Sequence, residues 1–327
     1  TLNDPSGYGR IMRDTDGKLV GIVEQKDASE EQLKIREINT GFLAAPASRL
    51  RGWLERLDNS NTQREYYLTD VIAMAVADGV AVASVSAANE YEILGVNDRV
   101  QLSTLERIYQ RSEAERLMRS GVTLADPGRF DVRGDISVGQ DCFIDTNVIL
   151  DGTVNLGNNV KIGPNCLIQR CIIGDNVEIL SHCVIQDAEI GAASRIGPFA
   201  RIRPETRLAD HVHVGNFVEI KKSSVAAGSK INHLSYIGDT RMGAKVNVGA
   251  GTITCNYDGA NKHLTEIGDD VFIGSDTQLV APVKVGDGAT IGAGSTITRE
   301  VPPGELVLSR SPQQIRPGWK RPLKKSK

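Results

Sequence analysis

The sequence is poor in several features that define large classes of proteins. No apolar run reaches about 18 residues, the length that a membrane-spanning helix needs, and the first residues show no secretory signal pattern. Aromatic residues make up only 5% of the chain, so its core has to be aliphatic. With 38 basic and 41 acidic residues the charge is nearly balanced, which argues against a dedicated nucleic-acid-binding protein.

Cysteine is also scarce. The 5 cysteines include no C-x-x-C pair, which gives a zinc site little support. An odd number of cysteines in a long chain without a secretory signal favours reduced thiols and a cytoplasmic protein.

Glycine, in contrast, is abundant, with 33 residues. After about residue 136, apolar residues recur every six positions with occasional slips of one, and glycine often follows them. We call these positions slot residues: Val138, Ile144, Leu150, Leu156, Ile162, Ile168, Ile173, Ile179, Ile185, Ile190, Ile196, Ile202, Leu208, Val214, Ile220, Val225, Ile231, Ile237, Met242, Val248, Thr254, Ile267, Ile273, Leu279, Val285, Ile291 and Ile297.

This period of six predicts a parallel β-helix of hexapeptide repeats, with three hexapeptides per coil and about nine coils. The slot residues would point inward, and the glycines that follow them would supply positive φ at the corners. Cys142, Cys166 and Cys183 each lie four residues after a slot residue, which predicts that they are core atoms.

The residues before the repeat follow different rules. Residues 1–99 read as mixed α/β, and residues 100–120 as a long helix with one apolar stripe (Leu102, Leu105, Ile108, Tyr109 and Leu117) that Gly121 ends. The predicted elements are a hairpin over Tyr8–Glu24 with a turn at Asp16-Gly17, strands over Ile38–Leu43 and Val80–Val85, and helices over Ser29–Ile35, Ser48–Leu57 (Ser48 as N-cap) and Leu68–Ala77.

Departures from the repeat mark candidate sites. The longest is the insertion Cys255–His263, and loops on a rigid scaffold often carry function. His233 lies among polar residues, and an imidazole is a natural general base at neutral pH. Basic clusters at 201–204 and 219–222 lie 18 residues apart and could meet a phosphate or form a solvated face. The basic tail from Arg316 is expected to be disordered.

Two other functions stay open on the residues alone. His182, His211 and His213 could serve a metal-dependent solenoid hydratase, although solvated or core histidines are the simpler interpretation. A non-catalytic solenoid that only trimerises would need no site at all.

Several strings resemble the GlmU family of bacterial bifunctional enzymes, which acetylate glucosamine-1-phosphate and then uridylylate the product to UDP-N-acetylglucosamine. They are Gly249–Gly259 (GAGTITCNYDG), Gly274–Gln278 (GSDTQ) and Val214–Glu219 (VGNFVE), with Asp4–Arg10, Glu37–Gly41 and Gly95–Asn97 resembling the first domain. The resemblance spans the chain and implies a left-handed β-helix, the domains 1–99 (uridylyltransferase portion), 100–120 (linker helix) and 121–327 (acetyltransferase with a basic tail), and a homotrimer with acetyl sites between subunits.

The resemblance also assigns roles to individual residues. His233 matches the general base. The sugar-phosphate positions are Arg203, Lys221, Tyr236 and Asn247, and the acetyl-CoA positions are Ala250, Asn256, Tyr257, Ser275, Ala293 and Arg310, with Lys262 beside them. The UDP-sugar positions are Gly9, Glu24, Asn39 and Asn97, and Asn97 also matches a ligand of Mg²⁺.

One motif of the family has no counterpart here. The Gly-rich loop that cradles the UTP phosphates, within roughly the first 130 residues of such proteins, is absent from this sequence. Because the acetyltransferase positions are all matched, we expect the chain to acetylate glucosamine-1-phosphate with acetyl-CoA. Because the loop for the UTP phosphates is missing, we expect this polypeptide alone to lack uridylyl transfer. The implied setting is the cytoplasmic synthesis of peptidoglycan and lipopolysaccharide precursors.

Overall fold

The computed structural model describes residues 1–96 and 98–324. They form two compact units, Thr1–Ile108 and the residues from Tyr109 onward, each with its own hydrophobic core. None of the helices in the described part of the chain combines the length and hydropathy that a membrane span requires.

The first unit contains one antiparallel hairpin and several short helices. The hairpin pairs β1 (Arg10–Arg13) with β2 (Leu19–Val23) and so confirms the predicted hairpin. The helices are α1 (Glu30–Leu33), α2 (Ala47–Leu54), α3 (Asp70–Ala77), a 3₁₀ turn (Glu90–Ile93) and α4 (Arg99–Arg119), which continues into the second unit. The small core of this unit lies between the hairpin, α2 and α3.

Three predictions for the first unit are wrong. Helix α2 begins after Pro46 without a side-chain cap, so Ser48 lies inside the helix. The strand predicted over Ile38–Leu43 is reduced to one bridge, at Ile38. The run Val80–Val85 is apolar, but no described strand pairs with it, and it lies instead along a cavity of about 720 Å³. A strand needs a partner for its backbone groups, which an apolar run alone does not supply.

Helix α4 buries only Leu117 of the predicted stripe, together with two residues outside it. Leu102 and Tyr109 are exposed, while Gln110, Ala114 and Leu117 are buried. The Gln110 amide donates to Val132 O (2.7 Å) and accepts from Val132 N (2.6 Å), which ties the helix to the first coil of the repeat. The C-terminal half of α4 therefore belongs to the second unit, and it ends before Gly121, whose φ is +103°.

The second unit is a parallel β-solenoid with three faces of stacked strands. Face A consists of Thr123–Leu124, Phe143–Ile144, Lys161–Ile162, Glu178–Ile179, Arg195–Ile196, His213–Asn216, Lys230–His233, Asn247–Val248, Phe272–Ile273, Thr290–Ile291 and Leu306–Val307. Face B consists of Phe130–Arg133, Val148–Asp151, Leu167–Gln169, Val184–Gln186, Arg201–Ile202, Glu219–Lys221, Tyr236–Gly238, Ile253–Cys255, Gln278–Val280 and Thr296–Ile297. Face C consists of Ile136–Val138, Val154–Leu156, Ile172–Ile173, Ala188–Ile190, Thr206–Leu208, Ser224–Val225, Thr240–Met242, Thr265–Ile267 and Val283–Val285.

The core of the solenoid is the stack of slot residues. Ile168, for example, pairs in register with Leu150 on one side and Ile185 on the other. Every slot residue is buried except Val138, which is partly buried. Cys142, Cys166 and Cys183 are buried and free, as predicted. The described solenoid has about ten turns rather than nine, because Thr123–Leu124 and Phe130–Arg133 add strands before the first predicted slot.

The glycines after the slot residues were predicted to supply positive φ, but most of them instead provide space between coils. A Cβ on Gly249 would lie 2.5 Å from Ser275 N, and one on Gly174 would lie 2.8 Å from Ala192 N, so these glycines let successive coils approach. The positive φ values fall mainly one or two residues further on, at non-glycine corner positions such as Asn165 (+59°) and Phe199 (+55°).

Candidate active site

A column of side chains runs along the edge between faces A and B. Each member lies two residues after a face A slot residue, and the strands are paired in register. In chain order the column contains Asn216, His233, Ala250, Ser275 and Ala293. Neighbouring members are therefore about 4.8 Å apart along the solenoid, as adjacent strands are. In this column His233 is followed, on the next three coils, by the small residues Ala250, Ser275 and Ala293.

His233 is exposed and makes one hydrogen bond to a neighbouring side chain of this column. Its Nδ1 lies 3.1 Å from Asn216 Oδ1. The other ring nitrogen, Nε2, has no hydrogen bond to a described residue. The imidazole is thus anchored on one side and accessible on the other.

The side chains at the corner beside this column become smaller above the coil of His233. Below it, large side chains stack in a ladder: His182 on Phe199 (ring centroids 4.7 Å apart) and Phe199 on Phe217 (5.2 Å). The ladder position on the coil of His233 is Leu234, and on the next coil it is Gly251 (φ +77°). The edge above His233 is therefore less bulky than the edge below it.

A polar cluster lies on face B and its adjoining corner. Arg203 Nη1 donates to Glu219 Oε1 at 2.6 Å. On the next coils, Asp239 Oδ2 accepts from Lys221 Nζ (3.5 Å) and from Asn256 Nδ2 (2.5 Å).

Asn256 also connects this cluster to Tyr236, because its Nδ2 lies 3.5 Å from the Tyr236 hydroxyl. Asn256 is buried, as is Asp239. The structure therefore places Asn256, expected among the acetyl-CoA positions, beside Lys221 and Tyr236 of the sugar-phosphate set.

The predicted insertion is a loop over residues 256–264 that is held by several internal hydrogen bonds. Tyr257 and Lys262 form an antiparallel bridge, and the Tyr257 hydroxyl donates to Gly259 O (2.6 Å). Asp258 accepts from the Asn261 backbone N–H (2.6 Å) and contacts His263 Nε2 (2.6 Å). These contacts, the backbone one first, hold the pKa of Asp258 well below its usual range, so its carboxylate stays charged even at acidic pH.

The loop brings Lys262 next to Lys221. The contact with Lys221 and the repulsion between the two charges lower the pKa of Lys262. Two neighbouring cations favour an anion between them, because an anion relieves this repulsion. The cluster therefore offers a site for a phosphate group.

The remaining predicted solenoid positions lie around these two groups. Asn247 is partly buried and pairs in register with Lys230, beside the His233 strand. Near the upper end of the column, Arg310 Nη1 donates to Ala293 O (2.7 Å).

Relatives of known name match this chain over nearly its whole length. It is 57% identical over 324 residues to the bifunctional protein GlmU of Aromatoleum aromaticum, which covers 99% of this chain and 71% of that protein. It is 59% identical over 319 residues to the bifunctional protein GlmU of Alkalilimnicola ehrlichii, with 98% and 69% covered. The chain belongs to the GlmU family.

Family models and solved structures add less than these GlmU relatives. Residues 132–232 match the model of the GMPPB C-terminal domain, and residues 264–299 match the model of the bacterial transferase hexapeptide (six repeats). A UDP-N-acetylglucosamine acyltransferase structure from Francisella novicida is 19% identical with a TM-score of 0.29, covering 58% of this chain and 66% of that one. This similarity is too low to carry an argument.

The first unit brings three of its four predicted positions together. Asn39 N donates to Gly9 O at 2.8 Å. A Cβ on Gly9 would lie 3.3 Å from both carboxylate oxygens of Glu24, and Glu24 Oε1 accepts from the Thr69 hydroxyl (3.0 Å). Asn97 lies outside the described residues.

Sequence reasoning missed two residues of the candidate site, Asn216 and Asp239. Asn216 could have been found by register arithmetic, since it occupies the same place after its slot residue as His233 does, one coil earlier. Asp239 had no such signal, because its importance comes from the inserted loop that brings Asn256 over it.

The histidines of the hydratase alternative occupy different kinds of position in the solenoid. His182 belongs to the ladder, His211 to a corner and His213 to a face A strand. Among the described residues of this single chain, no three His, Cys, Asp or Glu side chains are grouped to hold a metal ion.

Proposed function

We propose that this chain transfers the acetyl group of acetyl-CoA to the amine of glucosamine-1-phosphate, giving N-acetylglucosamine-1-phosphate. Membership of the GlmU family makes the chain an enzyme with this acetyltransferase activity. The observation that carries the assignment to particular residues is the column in which His233 lies directly below Ala250, Ser275 and Ala293.

In this mechanism His233 is the general base. The amine of the sugar has to lose a proton as it attacks the thioester carbonyl, and an imidazole is suited to accept it at neutral pH. The accessible atom is Nε2, because Nδ1 is engaged with Asn216. The tetrahedral intermediate then expels the CoA thiolate, a good leaving group.

The face B cluster would hold the sugar phosphate. Arg203, Lys221 and Lys262 supply positive charge, and charge-assisted hydrogen bonds to phosphate are among the stronger ones. Glu219 and Asp239 neutralise part of this charge in the absence of phosphate. Tyr236 lies on the face B strand that follows His233, Asn247 lies on the face A strand paired with the His233 strand, and both would bind the sugar.

The column above His233 would hold the pantetheine arm of acetyl-CoA. Ala250, Ser275 and Ala293 leave space along the edge, and an extended arm lying there would place its thioester at His233. Arg310, near the upper end, would face the phosphates of the cofactor.

The assembly and the second activity are proposals of a different kind. We infer from the family a left-handed coil, a cytoplasmic homotrimer with acetyl sites between subunits, and a role of Gly9, Glu24 and Asn39 in binding UDP-N-acetylglucosamine. The family also implies Mg²⁺ for uridylyl transfer. The one residue of this chain that matches a Mg²⁺ ligand of the family, Asn97, lies outside the described residues. The described residues therefore do not support a Mg²⁺ site, and we derive no step through Mg²⁺.

The experiment is a CoA-release assay on the whole chain with acetyl-CoA and glucosamine-1-phosphate. The substitution Ser275→Trp should block the column and raise the KM for acetyl-CoA about tenfold or more, which corresponds to about 1.4 kcal/mol of binding. Ser181→Trp, on the same edge but three coils below His233, is the matched control and should leave this KM within about twofold. Absence of CoA release from the folded wild-type chain would overturn the proposal and favour a non-catalytic solenoid.

A further inference from the structure

Two neighbouring face A strands are longer than the others. His213–Asn216 and Lys230–His233 each contain four residues, whereas the other described face A strands contain two. The extension adds one pair to the register, Asn216 with His233. The sheet is thus prolonged at the one place where it sets these two side chains next to each other.

The glycine before Asn216 permits this close pairing. A Cβ on Gly215 would lie 1.9 Å from Asn232 O, so a side chain cannot be accommodated there without separating the coils. Leu234 N also donates to Asn216 O at 3.1 Å, which continues the backbone pairing past His233.

The side-chain contact fixes the protonation pattern of the imidazole. The atom facing His233 Nδ1 is Asn216 Oδ1, at 3.1 Å. An amide oxygen only accepts, so Nδ1 carries the hydrogen and donates it. In the neutral ring the lone pair is then on Nε2, the atom that has to take the proton from the amine.

We propose that Asn216 is a positioning residue that holds His233 in the Nδ1–H tautomer and in the orientation that directs Nε2 toward the substrate amine. This inference rests on the proposed acetyl transfer.

Asn216 is uncharged, and this affects the protonation of the ring that it holds. A carboxylate at position 216 would stabilise the imidazolium and so leave less of the imidazole unprotonated and able to accept a proton at neutral pH, whereas an amide orients the ring without adding charge. The ionisable groups on the elements around His233 are His213 and Lys230 on the two paired strands, Tyr236 on the next strand, and Glu219 and Lys221 on the strand one coil below Tyr236. The Glu219 carboxylate accepts from Arg203, and the strand Asn247–Val248 above carries no ionisable side chain.

The kinetic test compares Asn216→Ala and Asn216→Asp with wild type. We expect Asn216→Ala to lower kcat about tenfold to a hundredfold, the effect of misplacing a reacting group. We expect Asn216→Asp to shift the acidic limb of the pH profile of kcat/KM upward by about one pH unit. The matched control is Asn165→Ala, which removes another Asn–His contact, to His182 (3.3 Å), and should keep kcat within about twofold.

A spectroscopic test does not depend on activity. In ¹⁵N-histidine-labelled protein, the nitrogen shifts of His233 should report Nδ1–H in wild type and a mixture or Nε2–H in Asn216→Ala. If wild type releases no CoA but shows the Nδ1–H tautomer, the proposed function fails while the tautomer assignment stands. Wild-type kcat in Asn216→Ala together with an unshifted acidic limb in Asn216→Asp would overturn the positioning role, as would an Nε2–H tautomer in wild type. If Asn216→Ala does not fold, Asn216→Ser takes its place.

Discussion

The two units of this chain bury their apolar residues in different ways. In the solenoid, each slot residue contacts its counterparts on the coils directly before and after it, and the core is one continuous stack. In the first unit the core is a small cluster between one hairpin and two helices, while apolar residues such as Phe42 and Val85 are 83% and 96% exposed. The hydrophobic effect thus produces a continuous, repeating core in the solenoid and a small single cluster in the first unit.

Because the two cores are built differently, a repeating sequence pattern predicts contacts in the solenoid but not in the first unit. Most contacts between coils of the solenoid join residues about 17 or 18 positions apart, and the inserted loop lengthens this separation to 25 for Val248 and Ile273, so one rule predicts most of them. A strand in the first unit depends on which distant segment supplies its partner, and no period records that choice. The comparison leads to three predictions, which separate the units by activity, by stability and by pH.

The largest effect is expected for the general base of the solenoid. His233→Ala should lower kcat for acetyl transfer by about 10² to 10⁴, the usual contribution of a general base. The stability should change little, because the side chain is exposed and outside the core. Initial rates of CoA release between pH 6 and 9 measure the effect.

Two control variants accompany this experiment. His211→Ala removes an exposed histidine from another corner of the solenoid, and Val85→Ala changes an exposed residue of the first unit. Both should keep the wild-type rate. A His233→Ala variant with most of its turnover would mean that the base lies elsewhere.

A second prediction compares the cores. Ile168→Ala should lower the free energy of unfolding by about 2–5 kcal/mol, because the cavity would lie between Leu150 and Ile185 in a stack that is fully buried. Val85→Ala should change it by about 0.5 kcal/mol or less. Urea denaturation followed by circular dichroism measures both. Equal effects of the two substitutions would show that Val85 is buried in solution.

The slot residues show how far sequence could predict the fold. The one-residue slip at Ile173 is followed correctly, since Ile173 is buried and pairs with Leu156 and Ile190. The first coil was missed because Leu124 and Val132 are eight positions apart rather than six, with the turn Pro127–Arg129 between them. A rule of six finds coils of standard length and overlooks a coil that carries an insertion.

The site was predictable in part. The roles of His233 and Lys221 follow from the resemblance to the GlmU family, and the structure places His233 on a strand of face A and Lys221 on a strand of face B. The partners that complete them, Asn216 and Asp239, depend on register and on the path of the inserted loop. The glycines were predicted for their φ values, but Gly249 is required for space, which only the neighbouring coil reveals.

The smallest effect is a pH dependence confined to the first unit. Arg13 donates to both carboxylate oxygens of Glu37 (2.8 and 2.5 Å), and this hydrogen bonding lowers the pKa of Glu37 below its ordinary value. Because the pKa is lower in the folded state, the pair stabilises the fold above pH about 4.5 and loses this contribution as the pH falls below that value. Both side chains are one-third exposed, so the contribution should be about 1 kcal/mol or less.

Hydrogen exchange can detect this effect beside an internal reference. The amide of Ile11 donates to Glu37 O (3.0 Å), so its protection factor should fall by up to about fivefold between pH 7 and pH 3.5, a change of about 1 kcal/mol. In Glu37→Gln the protection of Ile11 should already be lower at pH 7 and should change less with pH. The amide of Leu167, which donates to Cys183 O inside the solenoid, is the reference and should respond equally in both proteins. If Ile11 loses the same protection in wild type and in Glu37→Gln, the acid sensitivity of the hairpin comes from another carboxylate, because the glutamine variant has no charge at position 37 to lose.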